Sequence, residues 1–144
     1  NYSVFDSYQG AVILLSLVFL TAINDTGAYF TGKFYGRHKL AKFISPNKTI
    51  EGLFGGVTFS LILSTVFYYF LFNLKIGILY WLLLIFVLMI CANLGDLVES
   101  QLKRNAKVKD SGNILPGHGG MLDRLDSHLV VIPMFWFFMI NFVF

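Results

Sequence analysis

The sequence predicts an all-α protein that crosses a membrane with about four transmembrane helices and carries two polar loops. Of its 144 residues, 56% are hydrophobic, 17% are aromatic and only 13% are charged. A soluble domain has about a quarter of its residues charged. The apolar residues also form long uncharged runs, and a helix satisfies every backbone polar group inside lipid. We therefore expect one transmembrane domain over residues 1–144 and not a soluble helical bundle.

Four uncharged runs mark the spans. They are 18, 23, 20 and 16 residues long, at 7–24, 52–74, 76–95 and 129–144. A spanning helix needs about 20 mostly apolar residues. With their flanking residues, the runs predict helices at about 9–32, 52–73, 76–104 and 127–144, the first and third extending into water at their polar ends. Because the chain does not begin with Met and ends inside an apolar run, we expect a piece of a longer membrane protein.

Basic residues predict how the helices are oriented. Ten of the eleven lie between the first two spans or between the last two: Lys33, Arg37, Lys39, Lys42, Lys48, Lys103, Arg104, Lys107, Lys109 and Arg124. Such an excess is typical of cytoplasmic loops, so we expect both loops on the cytoplasmic side of a plasma membrane. Positive charge gathered on one face attracts anionic lipid heads or nucleotide phosphates. Nucleic acid is not expected as a substrate, because the basic residues are interleaved with spans.

Two acidic residues interrupt the apolar runs near their cytoplasmic ends. Asp25 does so in the first run and Asp96 in the third. A carboxylate at membrane depth is expensive and usually pairs or lines a polar cavity, although each acid could simply mark a helix end. If the third helix continues beyond the membrane, Asp96, Glu99 or Ser100, and Lys103 share one face. That face would suit a phosphate bridged by a metal ion.

A second acidic group lies at the predicted start of the fourth helix, near Met121. Asp123 and Asp126 are three residues apart, where the helix dipole favours negative charge. Acids are common at helix starts, but Asp96 on the same membrane face would add a third carboxylate. Oxygen ligands favour Mg²⁺, which takes one or two protein carboxylates and completes its shell with water and phosphate oxygens. The lone Cys91 excludes an intrachain disulfide and a cysteine-based metal site.

The stretch SPNKT, residues 45–49, predicts the start of a helix. Ser45 would be the N-cap and Pro46 the first helical residue, and free N–H groups at such an end bind anions. Lys48 and the Thr49 hydroxyl would add to a phosphate site, whereas a plain cap is the structural alternative. His118, within PGHGG, would act as a ligand, a proton carrier or a phosphate donor, or simply belong to a tight turn. Since the chain has neither GxxxxGK followed by Ser or Thr nor GxGxxG, a bound nucleotide would need a different cradle.

The segment 100–126 resembles the signature of the phosphatidate cytidylyltransferase (CDP-diacylglycerol synthase) family. All 27 positions fit the pattern, through Ser100, Leu102, Lys103, Arg104, Lys109, Asp110, Gly112, Leu115, Pro116, His118, Gly119, Gly120, Met121, Asp123, Arg124, Leu125 and Asp126. The stretch NDTGAYFTGKFYGRHKLAKFISPNKTIEG, residues 24–52, is similar to a second family motif. Family members have further N-terminal transmembrane helices, so the chain resembles the C-terminal catalytic half.

The resemblance implies transfer of CMP from CTP to phosphatidic acid, giving CDP-diacylglycerol and pyrophosphate. It implies that Asp96, Asp123 and Asp126 hold Mg²⁺ and that a second group of side chains binds phosphate: Ser45, Pro46, Lys48, Thr49, Lys103, Arg104, Lys109, His118 and Arg124. It also suggests a homodimer. Three alternatives remain open at this point: a CTP-using enzyme acting on another lipid, such as a polyprenol kinase or an archaeal-lipid cytidylyltransferase; a transporter with Asp25 and Asp96 as relay groups; and an inactive half that needs a partner.

Overall fold

A computed structural model describes residues 7–42, 44–70, 77–106 and 122–142, without the side chains of 7–10, 122–126 and 141–142. Within that part of the chain are four helices and one short hairpin. In chain order they are α1 (Ser7–Tyr35), β1 (Lys39–Ala41), β2 (Ser45–Thr49), α2 (Ile50–Phe70), α3 (Ile78–Asn105) and α4 (Leu122–Phe142). The all-α fold class is confirmed, with the hairpin as an addition between the first two helices.

Among the residues that the structure describes, three helices are long and apolar enough to cross a membrane, over Ala11–Tyr35, Ile50–Phe70 and Ile78–Asn105. They confirm the first three predicted spans to within a few residues at each end. The fourth predicted span is also a helix, but its apolar part within the described side chains, Ser127–Ile140, is shorter. That α4 crosses the membrane stays a prediction.

The helices α1 and α2 pack closely because glycines face one another across their interface. A Cβ on Gly27 would lie 3.3 Å from the Gly56 Cα, and one on Gly52 would lie 3.3 Å from the Gly32 Cα. Small residues let backbones approach inside a membrane, where helix association depends on van der Waals packing and interhelical hydrogen bonds. The buried Ser60 uses this closeness and donates its hydroxyl hydrogen to the Leu20 carbonyl oxygen of α1 at 3.2 Å.

The core lies where one stripe of each helix meets the others. On α3 the buried residues recur at helical spacing: Trp81, Leu84, Ile85, Leu88, Met89 and Ala92. The buried residues of α4 recur every four positions, at Ser127, Val131, Phe135 and Met139. The Trp81 ring meets the Phe135 ring edge to face, with centroids 6.5 Å apart, and its indole N–H donates to the Ser64 carbonyl oxygen at 3.2 Å. The outer faces keep large exposed apolar side chains, as a lipid environment requires.

A buried hydrogen bond joins α4 to α1. The Thr21 hydroxyl donates its hydrogen to the Val18 carbonyl oxygen at 2.9 Å and lies 2.8 Å from Nε2 of His128. The contact between the Thr21 hydroxyl and Nε2 of His128 is a hydrogen bond across the two helices. The position of α4 beside α1 is thus set by a directional bond as well as by packing.

The hairpin corrects the prediction for SPNKT. Residues Ser45–Thr49 form strand β2, which pairs antiparallel with β1, with Lys39 opposite Thr49 and Ala41 opposite Ser45. Ser45 is therefore not an N-cap and Pro46 is not helical, because hairpin pairing with the preceding strand β1 outweighs the capping pattern. Pro46 is exposed on this two-stranded ribbon, where the lack of an N–H is tolerated. The cap is Thr49, whose hydroxyl oxygen accepts from the Gly52 N–H at 3.1 Å.

We predict that Gly56→Ala destabilises the fold by about 1–3 kcal/mol, the usual range for overpacking. Its Cβ would overlap the Asn24 carbonyl oxygen and lie 3.1 Å from the Ala28 Cβ. Unfolding by SDS in mixed micelles measures the change. Gly77→Ala is the matched control, because a Cβ there meets nothing within 4 Å. Equal stability of the two variants would contradict the close α1–α2 contact.

Candidate active site

A cavity of about 640 Å³ opens where α1, α3 and the hairpin come together. Its wall combines two carboxylates, Asp25 of α1 and Asp96 of α3, with the lysines Lys33, Lys39 and Lys48. Polar side chains complete it: Ser45, Asn47, Thr49 and Asn93. Both acids that interrupt the apolar runs therefore face one cavity, as predicted for carboxylates at membrane depth.

An ion pair crosses the cavity from the hairpin to α3. The Lys48 ammonium contacts Oδ2 of Asp96, and the two side chains are 24% and 28% exposed. The other carboxylate oxygen, Oδ1, accepts from the Ser100 hydroxyl at 3.3 Å. Lys48 thus neutralises a partly buried carboxylate and brings β2 against α3.

The predicted polar face of α3 is confirmed. Ser100 lies one helical turn after Asp96 and donates its hydroxyl hydrogen to the Asp96 carboxylate. The neighbouring Glu99 accepts a hydrogen bond from the Lys103 ammonium at 3.2 Å. Lys103 and Glu99 are 19% and 12% exposed. A face that holds both signs of charge in partly dry surroundings can bind an anion together with a cation.

The hairpin is fastened to the start of α2 by Glu51. Its carboxylate accepts the backbone N–H groups of Arg37 and His38 at 3.1–3.2 Å, and it lies 2.6 Å from Nδ1 of His38. The Ile50 N–H also donates to the His38 carbonyl oxygen at 3.0 Å. These bonds fix the position of residues 37 and 38, which connect α1 to β1. They therefore also fix the position of the hairpin and of its lysines.

The C-terminal part of α1 supplies two site residues that the sequence prediction missed, Tyr29 and Lys33. Asp25, Tyr29 and Lys33 recur every four residues and all line the cavity, and the Lys33 ammonium lies 5.7 Å from the centre of the Tyr29 ring. Helical spacing from Asp25 would have found them. The sequence prediction also missed three other lining residues, Lys39, Asn47 and Asn93. Two of them, Lys39 and Asn47, belong to the hairpin, and the hairpin itself was not predicted.

The predicted site residues divide into three groups. Ser45, Lys48, Thr49 and Asp96 line the cavity. Pro46, Lys103 and Arg104 are described but do not belong to its described lining, and Arg104 is exposed. Two of the remaining predicted residues, Lys109 and His118, lie outside the described residues. The other three, Asp123, Arg124 and Asp126, belong to α4, but their side chains are not among those described.

The proposed set of metal ligands is untested for the same reason. Among the described side chains, no group of three or more His, Cys, Asp and Glu residues could hold a metal ion. Only Asp96 of the three predicted ligands is among them. Asp123 and Asp126 belong to the first turns of α4, which begins at Leu122, five residues before the predicted span of 127–144 and close to the alternative start near Met121.

Comparison with known proteins identifies the family. The model of the cytidylyltransferase family matches residues 2–142, nearly the whole chain. The chain belongs to this family. The match extends over both motif regions and all four helices, so the family resemblance of residues 24–52 and 100–126 is confirmed.

Curated members of the cytidylyltransferase family are similar over most of this chain. The phosphatidate cytidylyltransferase of Bacillus subtilis (strain 168) is 50% identical over 132 residues, which cover 92% of this chain and 48% of the relative. The phosphatidate cytidylyltransferase of Staphylococcus haemolyticus (strain JCSC1435) is 51% identical over 127 residues, covering 88% of this chain and 48% of that protein. The chain therefore spans about half the length of these relatives.

We predict that Thr49→Val loosens the first turn of α2. Valine keeps the shape but removes the oxygen that caps the Gly52 N–H, and loss of an N-cap costs about 1 kcal/mol. The Gly52 amide should exchange with solvent deuterium about five times faster. Thr58→Val is the control, because that exposed hydroxyl bonds to the Phe54 carbonyl oxygen of its own helix at 2.8 Å. Unchanged exchange at Gly52 would contradict the cap.

Proposed function

We propose that this chain carries the catalytic site of a phosphatidate cytidylyltransferase. The reaction transfers CMP from CTP to phosphatidic acid and releases pyrophosphate, giving CDP-diacylglycerol. Support comes from membership of the cytidylyltransferase family and from the similarity to phosphatidate cytidylyltransferases that are about 50% identical to this chain. Because the chain spans about half of each relative, the activity of the whole protein is part of the proposal.

The observation that carries the proposal is the charge lining of the cavity. Three lysines from α1 and the hairpin face two carboxylates from α1 and α3, at one end of helices whose outer faces are apolar. CTP is an anion from water, whereas phosphatidic acid is an anion held in the bilayer. A site for both needs fixed cations at the boundary between the two solvents, and this cavity lies at the ends of two candidate spans.

The cavity suits Mg²⁺ in the chemistry of its donors. Asp25 and Asp96 supply oxygen ligands, which Mg²⁺ prefers, and the Asp96 carboxylate already holds the cationic group of Lys48. We propose that Asp96, Asp123 and Asp126 hold the metal ion. Bound there, Mg²⁺ would supply charge neutralisation for the phosphates of the nucleotide.

The proposed reaction is a nucleophilic displacement at phosphorus, and the lysines of the cavity compensate the charge of its substrates. A phosphatidate oxygen attacks the α-phosphorus of CTP, a new P–O bond forms, and the bond from the α-phosphorus to the bridging oxygen breaks. Pyrophosphate leaves with that electron pair. The nucleophile is already an anion at neutral pH, so no strong base is required. Lys48, Lys33 and Lys39 are placed to offset the like charges that the two substrates bring together.

The other predicted phosphate ligands complete this proposal. Ser45 and Thr49 lie beside Lys48 on β2, where their hydroxyls offer neutral hydrogen bonds to phosphate oxygens, and Pro46 shapes the same strand. Lys103 and Arg104 extend the positive charge along α3 beyond Asp96. We assign Lys109, His118 and Arg124 to phosphate binding from the segment that joins α3 to α4, on the strength of the family motif.

We also propose a location and an assembly for the protein. Ten of eleven basic residues lie in the two polar segments, and this bias supports a multi-pass protein of the plasma membrane with its site on the cytoplasmic side. A homodimer is supported by the family resemblance and is a separate proposal.

Transfer of the α-phosphate label of CTP into lipid tests the reaction directly. The protein would be reconstituted in vesicles that contain phosphatidic acid, with Mg²⁺, as this chain and as a chain extended to the length of its relatives. We expect label in the lipid phase that depends on phosphatidic acid and disappears with EDTA.

Other outcomes identify the alternatives. Label carried only by the extended chain would assign the activity to the longer protein. Label in a polyprenol or an archaeal lipid, and none with phosphatidic acid, would overturn the proposed acceptor. Solute flux into sealed vesicles without any transfer would favour a transporter.

We predict that Asp123→Asn lowers transfer by at least about 100-fold, the loss expected when one group that stabilises transition-state charge is removed. The amide is neutral, so it binds a divalent cation far less well than the carboxylate. Asp6→Asn is the matched control, because that acid precedes both motifs. Helix content by circular dichroism confirms folding, and a near-normal rate in folded Asp123→Asn would remove this residue from the metal site.

A further inference from the structure

Two buried amides join α1 to α3 directly beneath the cavity. Nδ2 of Asn93 donates to Oδ1 of Asn24 at 3.3 Å and to the Met89 carbonyl oxygen of its own helix at 2.7 Å. Nδ2 of Asn24 then lies 3.5 Å from Oδ1 of the neighbouring Asp25, a long contact. The result is a chain of polar groups that begins on α3, crosses to α1 and ends at a carboxylate of the cavity.

The direction of each hydrogen bond in this series follows from which groups can donate and which can only accept. The Met89 carbonyl oxygen only accepts, so the group of Asn93 that faces it must be the NH₂. That NH₂ also faces Asn24, so the atom of Asn24 turned toward Asn93 must be its oxygen. The NH₂ of Asn24 is therefore left to face Asp25, whose carboxylate accepts. Each amide has one orientation consistent with its surroundings.

The burial of the pair argues that it does more than fill space. Asn24 is fully buried and Asn93 is 7% exposed, while their neighbours Leu20 and Ala92 belong to the apolar core. Burying amides offers little net stability over apolar side chains of similar shape, since each must first lose its bonds to water. Hydrogen bonds between membrane helices contribute on average about 0.6 kcal/mol. The pair therefore offers a directional contact between α1 and α3 more than a gain in stability.

The two amides sit next to the two carboxylates of the cavity. Asn24 immediately precedes Asp25, and Asn93 lies three residues before Asp96, about one helical turn. A bond between Asn24 and Asn93 therefore fixes the rotation of α1 and of α3 about their axes at the level where both acids enter the cavity. Asn93 itself contributes to the cavity wall.

We propose that Asn24 and Asn93 are positioning residues, which hold Asp25 and Asp96 at a set separation so that they bind one divalent cation together with phosphate. This inference rests on the proposed function of the cavity and extends it, because it adds Asp25 to the cation site and assigns the orientation of both acids to an amide bridge. The bridge acts through the carboxylates and does not contact the reacting atoms.

Substitution by leucine, which is similar in size to asparagine and has no polar atom, tests the bridge. The variants are Asn24→Leu, Asn93→Leu and the double variant, made in the chain extended to the length of its relatives. The matched control is Ser64→Ala, because Ser64 is also fully buried but bonds within its own helix, to the Leu61 carbonyl oxygen at 2.9 Å. Binding of Mn²⁺ alone is measured by the loss of its free electron-paramagnetic-resonance signal, and label transfer is measured in parallel.

We expect each leucine variant to bind Mn²⁺ about tenfold more weakly and to need about tenfold more Mg²⁺ for half-maximal transfer. The KM for phosphatidic acid should change less than the Mg²⁺ requirement, because the bridge acts through the carboxylates that hold the cation. The double variant should be no worse than Asn24→Leu, which already removes both the bond to Asn93 and the contact with Asp25. Ser64→Ala should match the parent protein in Mn²⁺ affinity and in transfer.

A merely structural role would give a different pattern. Leucine variants with parental Mn²⁺ affinity and parental Mg²⁺ dependence would overturn the proposal, as would a parent protein that binds no Mn²⁺. If the leucine variants do not fold, Asn24→Ser and Asn93→Ser replace them, because serine keeps a polar group but is too short to bridge the helices. Failure of the serine variants to fold would also overturn the proposal, since the bridge would then serve the fold.

The Mn²⁺ measurement separates this inference from the proposed function. Weaker Mn²⁺ binding in the variants of a parent that transfers no label would support the positioning role and reject the cytidylyltransferase reaction. Transfer by the parent with Mn²⁺ affinity unchanged in the variants would support the reaction and reject the positioning role.

Discussion

The close approach of α1 and α2 is the constraint on which the site depends. Glycines at 27, 32, 52 and 56 remove the side chains that would separate the two backbones, so the ends of both helices meet at one place. The hairpin that connects them is then held against the end of the bundle, with Thr49 packed near Gly32, Gly36 and Gly52. Larger residues in this interface would move the hairpin, and its lysines would no longer face Asp96.

The charge of Asp96 is tolerated at this depth because its carboxylate is paired and hydrogen-bonded. Asp96 is balanced by Lys48 and accepts a hydrogen bond from Ser100. In surroundings of low dielectric constant such contacts are stronger than in water, and an uncompensated charge would be costly. The same low dielectric makes the cavity effective at holding a substrate phosphate against fixed cations.

Much of the fold could be predicted from hydrophobic runs alone. The first three spans, the polar face of α3 and the start of α4 near Met121 follow from helical periodicity, a local property of the chain. The failure at Ser45 has the opposite origin. Its pattern of a hydroxyl residue followed by proline is compatible with a helix start, but residues 45–49 pair with β1 in a hairpin whose first strand carries no clear strand pattern. The cap moved four residues, to Thr49.

By itself, the sequence determined that this protein is apolar enough for a membrane, where its helices lie, and to which family it belongs. Composition, periodicity and motif spacing are local properties that can be taken directly from the order of residues. Tertiary structure alone decided which polar residues meet. Asp25, Lys48 and Asp96 lie far apart in sequence, and they share one cavity because glycine packing and a hairpin bring three elements together. The bond between Asn24 and Asn93 has the same character, since it joins residues 69 positions apart. A pairing of that kind depends on how helices rotate against one another, and no local pattern specifies that rotation.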